Sequence, residues 1–214
     1  MIRQRVRIRF RKEGDLRWIS HRDLARAFER LFRRMGLRLS MSEGFHPKAR
    51  MSFPSALGLG IAATDEVMEF ELAEHADQDS LARQFAALAP PGLVVSDVQV
   101  LKENTPKAKI AGMSYEAPVP PERREAVVQA IESIAAEESW RIERADRAAP
   151  LDLKADLERL ELLDRPEGPV VQFRLAATGE ATVRPREVLA AVGLSDLEHD
   201  GACLTRTRVE LAPE

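Results

Sequence analysis

The stretch SEGFHPKARMSFP brings His46, Lys48, Arg50 and Ser52 together around Pro47. Loops that concentrate such side chains position binding residues. His21, in the first turn of the expected first helix, is expected near this loop, and two histidines and a lysine would then suffice for metal-independent RNA cleavage, one group as base and another as acid. His21, His46 and Lys48 are therefore the candidate catalytic residues. The plainer reading makes His21 a helix-start residue and His46 a loop hydrogen-bonder. Gly58 and Gly60, just downstream in ALGLG, permit close backbone approach to a ligand, although one such pair is a weak signal.

Metal chemistry finds less support. His75 lies near Asp77 and Asp79 without any repeated ligand spacing, and the group reads better as the acidic start of a helix. The single cysteine, Cys203, cannot form an internal disulfide or hold a zinc ion or iron–sulfur cluster alone. Its neighbours Ala202 and Leu204 offer no base, so packing is its expected role. No cofactor and no metal ligand is expected.

A second constellation lies at the start of the chain, where Arg5, Arg7, Arg9 and Arg11 alternate with Val6, Ile8 and Phe10. Period two predicts a strand with one apolar and one guanidinium face. Such a row can read phosphates, answer carboxylates on a neighbouring strand, or keep a sheet soluble. Side chains on one strand face repeat every ~6.7 Å, close to the repeat of an extended single-stranded nucleic acid, and the arginine fork suits phosphate.

The elements that must position these residues read as strand, helix, strand, strand, helix, strand. Ser20 caps the first helix with Asp23 three residues on; Leu24, Phe28, Leu31 and Met35 follow at helical spacing, and Gly36 stops it. A short strand is expected at 37–41, an alternating one at EVMEFELAE, a helix at 79–88 ended by Pro90 and Pro91, and a strand at LVVSDVQVL. KENTPKAKIAG is polar and contains proline, which predicts a linker over 104–111. The order then repeats: MSYEAPV as strand, 121–137 as helix, WRIERAD as second strand, a hairpin in LERLELLDRPEGPVVQFRLAA, a helix at RPREVLAAVG, and CLTRTRVEL as the last strand.

The expected fold is α+β: two tandem ferredoxin-like (βαββαβ) domains, 1–103 and 112–214, each an antiparallel sheet with helices on one face. The first and third strands are then central neighbours, so Glu69 and Glu71 share the face of Arg5 to Arg11. Opposite charges across a strand pair contribute roughly 0.2–1 kcal/mol. Two glutamates cannot neutralise four arginines, and the first helix adds Arg22, Arg26, Arg30, Arg33 and Arg34, some of them solvated or paired as in Glu29–Arg33. Phe10 and Phe70 fall on the buried phase, which argues against base stacking on the open sheet and leaves RNA contacts to backbone, shape or the loop.

The net charge of −3 conceals a segregation: residues 1–50 carry 15 Lys+Arg against 5 Asp+Glu, whereas the remainder carries 17 against 30. That pattern suits a protein offering one face to a polyanion, or a basic segment docked on its own acidic remainder. No run approaches the ~18 apolar residues of a membrane span, and the basic N-terminus lacks a signal peptide's apolar stretch. A cytoplasmic protein without a membrane partner is expected.

From Arg7 to Gly60, RIRFRKEGDLRWISHRDLARAFERLFRRMGLRLSMSEGFHPKARMSFPSALGLG resembles the N-terminal signature of the uncharacterised radical-SAM-linked protein family. LDLKADLERLEL, RPREVL and TRTRVEL are similar to its weaker motifs. The resemblance implies a partner, a radical SAM enzyme encoded beside or fused to such proteins, and leans toward RNA through neighbouring ribonuclease and ribosomal-protein genes. The loop positions it carries here are Gly44, Phe45, His46, Pro47 and Arg50. The chain lacks the three-cysteine motif of a radical SAM cluster, so radical chemistry is not expected to reside in it. The tandem layout is also similar in fold to CRISPR repeat-processing endoribonucleases.

The first expectation is a non-catalytic, RNA-binding accessory or substrate-docking protein working with a radical SAM enzyme. Arg5, Arg7, Arg9, Arg11, Arg22, Arg26 and Arg30 would hold phosphates, with His46, Lys48 and Arg50 nearer the specific contact. The alternatives are a ribonuclease using His21 and His46, and a pure protein-docking module for the same enzyme.

Overall fold

The computed structural model describes residues 4–145, 149–177 and 183–213. It divides into two units, Met1–Ile110 with Leu211–Glu214, and Ala111–Glu210. Both mix helices with extended strands.

The first unit runs β1 (Gln4–Lys12), a 3-10 turn (Gly14–Trp18), α1 (His21–Arg34), β2 (Met51–Ser52), β3 (Ala62–Leu72), α2 (Gln78–Leu88) and β4 (Leu93–Val100). β1 lies between β3 and β4, antiparallel to both, and β2 pairs with β3. Val6, Ile8 and Phe10 are fully buried and pack with Leu24, Phe28, Leu31 and Phe32 of α1 and Leu81 and Phe85 of α2. Edge-on rings join the layers, Phe10 to Phe28 at 5.1 Å between centroids. Both helices therefore cover the apolar side of β1.

The ends of α1 follow the sequence. The Ser20 hydroxyl accepts from the Asp23 backbone N–H at 3.1 Å, satisfying one of the donors a helix start leaves open. At the other end Gly36 takes φ +68°, where a side chain is disfavoured, and Leu37 N–H reaches back to Phe32 C=O. α2 starts on Asp77, whose carboxylate accepts from Ser80 N–H at 2.8 Å.

The strand expected at 37–41 is interrupted. Leu39 bridges Leu72, and the Glu71 carbonyl accepts from Ser40 N–H. The Glu71 N–H then donates to Arg50 C=O, beside β2. Segments 38–40 and 50–52 thus share one edge of β3, and residues 41–49 are pinched out between them as a loop.

The segment expected as a linker is held on the first unit. Arg5 donates to the Thr105 and Pro106 carbonyls, and Glu69 accepts from Ala108 N–H. The arginine side of the sheet is consequently not open throughout: Arg7 and Glu69 are buried.

The second unit runs β5 (Ile110–Pro118), α3 (Arg124–Ala136), β6 (Arg141–Ile142), β7 (Leu151–Asp152), the one-turn α4 (Leu153–Asp156), β8 (Leu157–Arg165), β9 (Gly168–Ala176), α5 (Pro185–Ala191) and β10 (Thr205–Leu211). Its strands lie in the order β10, β5, β9, β8. Here the expected second strand, WRIERAD, is displaced: only Arg141–Ile142 is extended, pairing with β7 away from that sheet, and Asp146 lies outside the described residues. β8 takes the place beside β9, because its nine residues match the full length of that strand where WRIERAD offers two.

Candidate nucleic-acid interface

The arginine row on β1 is answered by carboxylates. Strand register puts Arg7 opposite Glu69, and Arg7 Nε and Nη2 reach Glu69 Oε1 at 3.0 and 2.8 Å. Arg5 Nη2 reaches Glu69 Oε2 at 2.9 Å, and Arg9 Nη1 reaches Asp65 Oδ2 at 2.6 Å. Arg11, the most exposed of the four, is closed by Glu13 two residues away. Asp65 and Glu13 were not legible as partners from the expected strand at EVMEFELAE. β3 in fact begins at Ala62, and extending its alternation by a few residues puts Asp65 in phase with Glu69.

On α1 the guanidinium groups are differently placed. Arg22, Arg26, Arg30, Arg33 and Arg34 are all exposed. Arg22, Arg26 and Arg30 repeat at four-residue intervals, about 6 Å apart along one helix face. Arg26 touches Asp23 at 3.3 Å with both side chains half in solvent, a contact of small worth. The Ser20 hydroxyl, and then Arg26 and Arg22, hold the Asp23 carboxyl below its ordinary value. Arg22 and Arg30 form no ion pair among the described residues. The expected Glu29–Arg33 pair does not form side chain to side chain; Arg33 Nε reaches the Glu29 carbonyl at 3.4 Å. Arg34 donates to the Leu88 carbonyl at 2.8 Å.

These arginines and the β1 row lie on opposite sides of the sheet, since α1 covers its apolar side. One bound strand cannot use both sets. Two grooves flank α1. One, of 590 Å³, is lined by Leu16, Ile19, Ala27 and Pro90 together with Asp23, Arg30, Arg33 and Arg34. The other, of 470 Å³, lies between α1 and the 41–49 loop and takes Glu29 and Arg33 from one side and Lys48 from the other.

The loop itself is tied at its neck. Arg50 N–H donates to Ser40 C=O at 2.8 Å, and Arg50 Nε to Met41 C=O at 3.2 Å. Ser42 N–H donates to Lys48 C=O, and Lys48 N–H returns to Ser42 Oγ at 2.9 Å. Arg50 therefore braces the loop, with Glu71 3.8 Å away, rather than pointing from its tip. His46 is exposed beyond this neck, and the Lys48 side chain is exposed at it. His21 packs its ring edge-on against Phe53 at 4.9 Å, at the end of the same sequence stretch but not at the tip. The structure gives His21 and His46 no mutual contact. Asp77 serves as a helix cap, and no three metal-ligating side chains converge among the described residues.

A family described as "Uncharacterized protein conserved in bacteria (DUF2344)" matches residues 5–185, which include all of β1 but Gln4, α1 and the loop. No curated protein matches the chain. Among solved structures, a chain of the crystal structure of a Cbf5-Nop10-Gar1 complex is similar at 14% identity and a TM-score of 0.47. The similarity covers 95% of this chain and 48% of that one, so this chain spans about half its length.

Proposed function

We propose, for a chain that belongs to the DUF2344 family of uncharacterized proteins conserved in bacteria, that the first unit binds RNA through α1 and the 41–49 loop and has no catalytic role of its own. Arg22, Arg26 and Arg30 contact phosphates, with Arg33, Lys48 and His46 extending the surface across the adjoining groove. The observation that carries this reading is the contrast between two sets of arginines. Those of β1 are closed by carboxylates, whereas those of α1 stand exposed in line, with Asp23 and Glu29 as the carboxylates of their own helix and only a half-solvated contact to Asp23 between side chains. Arginines already engaged would have to give up Glu69 or Asp65 to take a phosphate; those of α1 give up little besides water.

The partner in this reading is a radical SAM enzyme acting on RNA, for which this protein holds or presents the substrate. The resemblance over residues 7–60 supports it. We read both units as ferredoxin-like, since the first runs β4, β1, β3, β2 and the second β10, β5, β9, β8. The test is titration of the purified protein against tRNA and a mixed-sequence single strand over a range of salt. Salt-sensitive binding is expected; no binding at low salt refutes the reading. For the partner, affinity purification from the native host should bring down an iron–sulfur radical SAM protein, and its absence from crosslinked samples would count against that assignment.

A further inference from the structure

We infer that Phe45, at the tip of the 41–49 loop, is a stacking platform for an unpaired nucleobase. The inference rests on the RNA-binding reading of α1 and deepens it by naming a contact with a base rather than a phosphate.

Phe45 is 101% exposed and touches no other ring. A lone exposed apolar side chain is common and by itself means little. This one sits on a tied frame. The Ser42–Lys48 exchange and the Arg50 bonds to Ser40 and Met41 close the loop beneath it, and Gly44, at φ +124°, makes the turn that lifts it. A loop already closed at its neck loses less backbone freedom on binding than an open one. The side chains of His46 and Lys48, on either side of Pro47, have no partner among the described residues, and Glu43, the loop's only carboxylate, is engaged. An aromatic face beside a free ammonium, that of Lys48, is the combination that single-stranded nucleic acid uses, base on ring and phosphate on charge.

Position supports the same occupant. Lys48 and Pro47 line one groove with Arg33 and Glu29, so the loop that carries Phe45 adjoins α1. The sheet cannot supply stacking in its place, because Phe10 and Phe70 are buried at 0% and 1% exposure. In this proposal a strand laid along α1 crosses that groove and sets a base on Phe45.

The experiment uses the full chain and two single-stranded probes of equal length, one of mixed-sequence RNA carrying a fluorescent purine analogue, one abasic with the same phosphates. Wild type should bind the base-bearing strand more tightly and quench the analogue. Phe45→Ala should weaken that binding by roughly 5- to 150-fold, which is 1–3 kcal/mol per stacked base at 1.4 kcal/mol per tenfold. It should barely change binding to the abasic strand or the salt dependence. Phe45→Trp should keep the affinity and Phe45→Leu should not. Equal binding of both probes by wild type, with Phe45→Ala indistinguishable from it, overturns the stacking site and leaves the phosphate reading standing. Binding of neither probe overturns both. Loss of a protein partner on Phe45→Ala, with RNA affinity intact, assigns the tip to a protein pocket and equally overturns the inference.

Discussion

Arg7 grips one oxygen of Glu69 with two of its nitrogens, at 3.0 and 2.8 Å, and both residues are less than a tenth exposed. A guanidinium of this kind is part of the sheet's construction. Strand alternation alone gives it the look of a ligand contact; the register that sets Glu69 opposite decides otherwise.

Removing Glu69 should therefore cost stability rather than affinity. Glu69→Ala leaves Arg7 buried without its carboxylate, takes a partner from Arg5, and frees the Ala108 amide. A loss of about 3–5 kcal/mol in unfolding free energy is expected from urea titration. The double variant Arg7→Met with Glu69→Leu should recover part of it, because the buried guanidinium then goes with its carboxylate while Arg5 and the Ala108 amide still lose theirs. Equal losses in the single and double variants would contradict this account of the pair.

In the second unit, Asp196 is held by a bidentate fork from Arg123, with oxygens 2.5 and 2.7 Å from its two terminal nitrogens. That hydrogen bonding pulls the carboxyl from 3.8 to about 2. A carboxylate depressed in the folded state stabilises it above the unfolded value and loses that contribution as pH falls through the folded one. Wild type should lose stability between those two values, and Asp196→Asn should show a shallower decline over the same window, read by thermal unfolding at each pH. Parallel curves would dismiss the fork as a source of acid sensitivity.

Much of this was legible in the sequence where the determinants are local. Ser20 and Asp23 mark the start of α1, Gly36 its end, and the alternation of β1 with that of β3 implies the facing of Arg7 and Glu69. Less legible was whatever depends on distant partners. Leu37, Leu39 and Met41 alternate as a strand would, but the edge of β3 takes only 38–40 before the loop breaks away and returns at 50–52. The polar composition of 104–109 suggests a free linker, and nothing local reveals that Arg5 and Glu69 tie it down. Arg50 looks like a binding residue on a loop, and only the neck geometry shows it as a brace.

The histidines give a sharp test of the alternative reading. His21 is packed against Phe53 and His46 stands beyond the loop neck, so the protein should leave RNA intact in a long incubation with chelator present. His21→Ala together with His46→Ala should change RNA affinity at most through removal of the His46 imidazole. Cleavage by wild type that this double variant abolishes would replace the accessory role with a ribonuclease.

The most direct measurement compares salt dependence of single-strand RNA binding in wild type and in Arg22→Glu/Arg26→Glu/Arg30→Glu, with Arg11→Gln as the sheet-face control. The log–log slope should fall by about 0.7 for each phosphate that is no longer neutralised, roughly 2 in all, with Arg11→Gln unchanged. A slope untouched by the α1 reversals, or one moved by Arg11→Gln instead, would contradict the assignment of RNA to α1.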